Sequence, residues 1–241
     1  MRLAICLPTY NERENLEGVV RELGAVFESH GLDGRVLVVD DASPDGTGAL
    51  ADQLGAELPW VDVLHREQKE GLGPAYLAAF RRVLAEGADL VLEMDADLSH
   101  DPADVPRLVA AAEEADVVIG SRYVAGGGVA NWGPLRRAVS RAGCLYAQAW
   151  LGLGVRDSTS GFKVFRRAVL ETIDLGAIET RGYAFQIETT FRAKRAGFRI
   201  VEVPITFADR EAGRSKMSRA IVAEAVLRVP ALRLAAVLRR L

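Results

Sequence analysis

The chain has 241 residues, 49% of them hydrophobic and 26% charged, with a net charge of −3 at pH 7. That composition belongs to a globular protein with one large core. Two cysteines, Cys6 and Cys144, are too few for a disulfide framework and fit a reducing compartment. The opening apolar stretch is only Leu3 to Leu7, and no apolar run approaches bilayer length, so neither a secretory signal nor a membrane span is expected.

In chain order, short apolar runs alternate with segments of helical period. Strands are predicted over Leu3 to Leu7, Arg35 to Val39, Val61 to Leu64, Leu90 to Met94 and Val117 to Ile119; helices over Glu14 to Phe27, Thr47 to Leu54, Pro74 to Glu86 and Pro102 to Glu114. The alternation specifies an α/β fold, a Rossmann-like and mostly parallel sheet with crossover helices on both faces. The second half is less regular. Gly126 to Gly128 suggest a mobile loop, and Pro134 to Leu153 a helix carrying Arg136, Arg137 and Arg141. A strand or turn over Gly161 to Phe165, a helix near Phe185 to Arg195 and a strand over Ile200 to Phe207 follow. A polar loop, Asp209 to Ser215, then leads into an arginine-rich amphipathic segment, Ser218 to Leu241, interrupted by Pro230.

The small net charge conceals a division. Residues 1–120 carry 9 Lys and Arg against 24 Asp and Glu, net −15, whereas residues 121–241 carry 21 against 9, net +12. Segregation by half points the basic half at phosphate, anionic lipid or nucleic acid, with solvated surface charge as the alternative.

Ligands of open parallel sheets collect beyond the carboxyl ends of the strands, and those segments are rich in chemistry here. Pro8-Thr9-Tyr10-Asn11-Glu12 follows the first strand, Asp40 to Gly46 the second, and Asp95-Ala96-Asp97-Leu98-Ser99-His100 the fourth. Carboxylates gathered on one edge repel unless a cation or hydrogen-bond donors compensate them. Asp95 and Asp97, two residues apart after an apolar strand, suit magnesium or manganese, hard cations that keep waters and take further ligands from a diphosphate. Asp40 and Asp41 are equally placed to cap the next helix or to receive a nucleobase or ribose. Arg122 follows the fifth strand, so either a phosphate or an ion pair with Asp95 or Asp97 is its expected partner. Arg210, Arg214 and Lys216 occupy a polar loop of the kind that closes on phosphate. Gly71-Leu72-Gly73 lacks the third glycine of a dinucleotide fingerprint and follows the third strand. No G-x-x-x-x-G-K-S/T loop or zinc-spaced cluster occurs, and His100 reads as a packing or hydrogen-bonding residue.

Taken together, Pro8 to Glu12, Asp40 to Thr47, Gly71 to Gly73, Asp95 to His100, Gly120-Ser121-Arg122-Tyr123, Ser160-Gly161-Phe162 and Ser215-Lys216 resemble, in order, the family 2 glycosyltransferases of GT-A fold, and within them the polyprenol or dolichol phosphate mannosyltransferases. The resemblance implies inverting transfer of mannose from GDP-mannose to a polyprenyl or dolichyl monophosphate, assisted by Mg²⁺ or Mn²⁺. It implies that Pro8, Tyr10, Glu12, Val39 and Asp41 hold the guanosine, and that Asp95, Ala96 and Asp97 surround the cation and diphosphate. Arg122, Arg210 and Lys216 would bind phosphates, and Arg136 and Ser140 would face the acceptor phosphate. Ser99 stands where some members carry a glutamine that assists the metal, so Ser99, or water in its place, completes the metal set. Residues 1–217 are then the catalytic domain, and residues 218–241 a helix that either packs on the core or lies in the headgroup layer. The implied location is the cytoplasmic face of a membrane, reached directly or through a membrane-anchoring partner subunit. The alternatives are a glucosyl- or aminosugar transferase on the same acceptor and a non-catalytic nucleotide-sugar binding protein. Nucleic acid is disfavoured because no aromatic-basic recognition module is present.

Overall fold

The structure is a computed structural model describing residues 1–180, 182–208 and 219–238, without the side chains of Tyr183 and residues 219–225. Seven strands form its central sheet: β1 (Leu3–Thr9), β2 (Gly34–Asp40), β3 (Val61–His65), β4 (Leu90–Glu93), β5 (Val117–Ser121), β7 (Lys163–Arg166) and β8 (Ile200–Pro204), in the order β3-β2-β1-β4-β7-β5-β8. Every pairing is parallel except those of β7, which lies antiparallel between β4 and β5. A separate parallel pair joins β6 (Gly128–Val129) to β9 (Thr206–Phe207).

Helices cover both faces, so the inner strands are apolar without alternation. In β2, Val36 and Val38 belong to the core cluster on the face covered by α1 (Arg13–His30), α2 (Thr47–Glu57) and α4 (Val105–Ala111). Leu37 and Val39 pack on the other side under α3 (Leu72–Ala85). That second face is completed by α5 (Pro134–Leu151), α6 (Arg167–Thr172), α7 (Gly182–Arg195) and α8 (Arg219–Val237). Helix α1 shows how sequence sets an element: Leu16, Val19, Val20, Leu23 and Phe27 share one face, and Gly31, at φ 61°, ends the helix in a left-handed turn with its N–H on the Glu28 carbonyl.

Three features differ from the sequence expectation. The segment over Gly161 to Phe165 is a strand, but one that runs against its neighbours. Gly126 to Gly128 form a fitted turn rather than a loose loop: a Cβ on Gly127 would sit 2.4 Å from the Ser121 carbonyl oxygen, and Gly128 opens β6. Pro230 does not interrupt the last helix, because α8 runs through it. A proline inside a helix removes the N–H that would reach the carbonyl four residues back, here that of Val226. The Tyr146 hydroxyl on α5 donates to that same carbonyl at 2.8 Å. Val229, Leu232 and Ala236 of α8 turn into the core, whereas Val226, Leu227, Leu234, Val237 and Leu238 are exposed, so apolar side chains lie on both sides.

Tyr146→Phe should leave the Val226 carbonyl without its donor and destabilise the fold by about 1 kcal/mol, with faster amide exchange confined to α8. Denaturant unfolding and hydrogen exchange check both effects.

Candidate active site

Because β1 lies between β2 and β4, the carboxyl ends of these three strands are side by side. Each ends in a turn that contains a non-glycine residue with positive φ: Asn11 at 55°, Ala42 at 58° and Leu98 at 58°. Such backbone is disfavoured for residues bearing a Cβ and clusters where a turn must aim functional groups. Pro8, Tyr10 and Glu12 stand at the end of β1, with Val39 and Asp41 beside them at the end of β2. The Glu12 carboxylate accepts from Asn15 Nδ2 at 3.0 Å, and Lys69 Nζ lies 3.5 Å from the Tyr10 ring centroid. Asp41 accepts from Arg66 Nη1 at 2.5 Å and from the Gly71 and Glu70 N–H groups at 2.9 and 3.3 Å. Asp45, not Asp40 or Asp41, serves the start of α2, accepting from the Thr47 N–H at 3.0 Å and its hydroxyl at 2.6 Å.

At the end of β4, Asp97 Oδ1 accepts from the N–H and hydroxyl of Ser99 at 3.1 and 2.5 Å, so the Ser99 side chain is oriented by Asp97. Ala96 is buried between the two aspartates. The Asp95 N–H donates to His100 Nδ1 at 3.1 Å, and the His100 ring stacks on Phe162 at 4.8 Å. His100 therefore holds the turn. Asp95 and Asp97 are hard carboxylate donors on one tight turn, and among the described residues no three His, Cys, Asp or Glu side chains form a closed metal cage. That donor set fits a divalent cation drawing its remaining ligands from a diphosphate and water.

Arg122, just beyond β5, pairs with Asp157 rather than with Asp95 or Asp97. Nε and Nη2 donate to the two Asp157 oxygens at 2.7 Å each, and Nη2 also reaches Thr159 Oγ1 at 2.9 Å. Burial opposes charge on both groups, but the bidentate pair prevails: the guanidinium is raised above its ordinary pKa and the carboxyl lowered below its own. The rings of Tyr123, Trp132 and Phe207 surround the guanidinium at 5.3 to 5.6 Å. Arg136 lies on the same Trp132, 4.1 Å from its centroid, and Ser140 accepts from the Tyr123 hydroxyl at 2.7 Å. Arg136 and Ser140 are thus tied to Arg122, and Phe207 joins this group to the Asp95–His100 turn, meeting Trp132 at 5.4 Å and His100 at 5.3 Å. Arg210, Arg214 and Lys216 lie outside the described residues.

The antiparallel β7 begins at this edge, so Ser160-Gly161-Phe162 enters between the ends of β4 and β5, where Ser160 Oγ donates to the Gly120 carbonyl at 2.7 Å. Lys163 follows, directly opposite Glu93 in the β4–β7 register, and both are fully buried. Burial pushes the Glu93 carboxyl up to about 7, with Lys163 working against the shift, and burial pulls Lys163 down to about 8. Asp157, Trp132, Glu93, Lys163 and Gln186 belong to none of the motifs in the sequence. For Glu93 a signal exists, a carboxylate inside the apolar run Leu90 to Met94. Asp157 lies in an irregular segment, and no local pattern marks it.

Residues 4–174 match the family model for glycosyl transferase family 2. The chain belongs to that family. It is 54% identical over 230 residues to an undecaprenyl-phosphate mannosyltransferase of Micrococcus luteus, covering 95% of this chain and 93% of the relative. It is 50% identical over 231 residues to a polyprenol monophosphomannose synthase of Mycolicibacterium smegmatis, covering 95% and 85%. Among solved structures, the glucosyl-3-phosphoglycerate synthase of Mycobacterium tuberculosis bound to Mn²⁺, UDP and glucosyl-3-phosphoglycerate superposes with a TM-score of 0.67 at 24% identity, covering 96% of this chain and 79% of that one. The mannosyl-3-phosphoglycerate synthase of Rubrobacter xylanophilus gives 0.67 at 23%, covering 100% and 76%. The fold is therefore GT-A, and the chain is a glycosyltransferase.

Asp157→Asn removes the counter-charge of a buried guanidinium and should cost about 3 to 5 kcal/mol in denaturant unfolding, far more than a surface ion pair such as Arg35 with Asp62.

Proposed function

We propose that this glycosyltransferase moves mannose from GDP-mannose to a polyprenyl monophosphate, with inversion at the anomeric carbon and with Mg²⁺ or Mn²⁺ bound at Asp95 and Asp97. The observation that carries the reading is the juxtaposition of two unlike edges. A carboxylate-rich turn that fits a cation and diphosphate is joined through His100, Phe207 and Trp132 to a cluster of Arg122, Arg136 and Ser140 that fits a phosphate. The acceptors in the relatives' names, undecaprenyl phosphate and polyprenol, support the same choice.

A lipid monophosphate loses its second proton near pH 6, so at neutral pH it arrives as a nucleophile and needs no general base. The remaining requirement is to bring two anions together in line. Arg136 and Ser140 are assigned to the acceptor phosphate, and Arg122, with Nε and Nη2 held by Asp157, presents Nη1 as its remaining donor nitrogen. Tyr10, with Pro8, Glu12, Val39 and Asp41, is assigned to the nucleoside, and Ala96 to the floor beneath the diphosphate. Arg210 and Lys216 are assigned to phosphate contacts from the segment after β9. A bound divalent cation supplies charge neutralisation of the departing diphosphate. Bond making and breaking at one carbon through an oxocarbenium-like transition state then inverts the centre in a single displacement.

Among the described residues no helix is long and apolar enough to cross a membrane. Leu135, Val139, Leu145 and Trp150 of α5 are exposed along with the outer side chains of α8, and Arg136, Arg137, Arg141, Arg228 and Arg233 lie among them. Apolar side chains interspersed with arginines suit a surface of anionic lipid, which supports peripheral attachment at the cytoplasmic face, alone or with an anchoring partner. Residues 218–241 are accordingly assigned to the membrane-facing part.

Incubation with a panel of nucleotide sugars, a short polyprenyl phosphate and Mn²⁺ or Mg²⁺ should give a hexosyl lipid, identified by mass, from GDP-mannose alone. Equal transfer from UDP-glucose would overturn the donor assignment. Asp97→Asn should remove several kcal/mol of transition-state stabilisation, on the order of a hundredfold in rate or more, with unchanged circular dichroism. Full turnover in that variant would refute the metal assignment.

A further inference from the structure

We propose that Gln186 is a positioning residue of the metal turn, its amide fixed by Lys163 so that Nε2 faces the Asp95 carboxylate. This rests on the reading of Asp95 as a cation ligand. Lys163 Nζ donates to the Gln186 backbone carbonyl at 2.7 Å, to Gln186 Oε1 at 2.8 Å and to Thr190 Oγ1 at 3.0 Å. Those three bonds exhaust the ammonium's donors. They also decide which way the amide points, because the flipped amide would set NH₂ against NH₃⁺ with no acceptor between them.

With Oε1 anchored, Nε2 is directed away from Lys163, and it has no hydrogen-bond partner although Gln186 is only 1% exposed. Two carboxylates lie on that side. Glu93 is adjacent, close enough for the Gln186 amide to hold its carboxyl down against the effect of burial, and Asp95 follows two positions later. Gly161 supplies the room: a Cβ there would lie 3.6 Å from Gln186 Nε2, 3.8 Å from Asp95 Oδ1 and 3.9 Å from His100 Cε1. Gln186 Nε2 and Asp95 Oδ1 therefore border the same space over Gly161, beside the turn that receives the cation. A donor on the outer oxygen of a metal-binding carboxylate fixes its orientation, and loss of such partners commonly weakens metal binding.

Cation affinity can be read without turnover by titrating Mn²⁺ into the full chain in the presence of GDP and following the free-ion EPR signal. Gln186→Leu is expected to weaken Mn²⁺ binding about 10- to 100-fold, with GDP binding measured without metal unchanged. Lys163→Met releases the amide and should act in the same direction, but it also leaves Glu93 without a counter-charge. The double variant Glu93→Leu/Lys163→Met restores a neutral interior, so it should recover thermal stability while Mn²⁺ binding stays weak. Native Mn²⁺ affinity in folded Gln186→Leu or in the double variant would overturn the proposal. So would a loss matched by an equal loss of metal-free GDP binding, the signature of general disruption. Failure of the unaltered chain to bind Mn²⁺ would remove the metal reading itself, and it is seen before any substitution is made.

Discussion

The arrangement of this molecule depends on carboxylates brought together by strand adjacency. Placing β1 between β2 and β4 puts Glu12, Asp40, Asp41, Asp95 and Asp97 on one edge of the sheet. Left alone, they would repel. The fold answers most of that repulsion locally: Asp40 accepts from the Ser43 N–H, Asp41 from Arg66 and two backbone N–H groups, Glu12 from Asn15, and Asp97 from Ser99. These are oriented donors rather than diffuse counter-ions, so each carboxylate is aimed as well as stabilised. The backbone contributes by accepting positive φ at three non-glycine positions, one in each turn.

The second organising fact is the direction of β7. An antiparallel strand inserted between β4 and β5 starts where its neighbours end, so it delivers Ser160, Gly161 and Phe162 to the edge where the carboxylates gather and Lys163 just below it. The segment that leads into it carries Asp157 and Thr159, the partners of Arg122. A parallel strand at this position would have placed all of these residues at the opposite end of the sheet. The buried Arg122–Asp157 ion pair and the placement of Lys163 opposite Glu93 therefore both follow from one reversal of chain direction. Buried pairs contribute little net stability but make particular geometries costly to leave.

What the sequence discloses divides along the same line. The parallel half is legible because its strands are continuous apolar runs and its helices have a clear period, so β1 to β5 and α1 to α4 fall within a few residues of expectation. The turns at the ends of β1, β2 and β4 are legible because their polar residues interrupt apolar runs. The direction of β7 is not, since four strand residues look alike whichever way they run. Nor is the Asp157 partner of Arg122, set by a contact across 35 positions. Continuity of α8 through Pro230 was hidden for a related reason: the donor that replaces the lost N–H, Tyr146, belongs to another helix 80 residues away.

That last contact joins two parts of the molecule. Helix α5 carries Arg136 and Ser140 in its first two turns and Tyr146 and Trp150 in its last two, so one rigid element of about 27 Å spans from the Arg122–Trp132 cluster to α8. Its first half is fixed by Trp132 under Arg136 and by Tyr123 on Ser140, its second by Ala147 and Leu151 in the core and by Tyr146 on Val226. A helix held at both ends cannot shift at one without straining the other, because packed interiors respond by discrete rearrangement rather than by yielding. The placement of α8 against the body and the placement of Arg136 relative to Arg122 are thus settled by the same set of contacts.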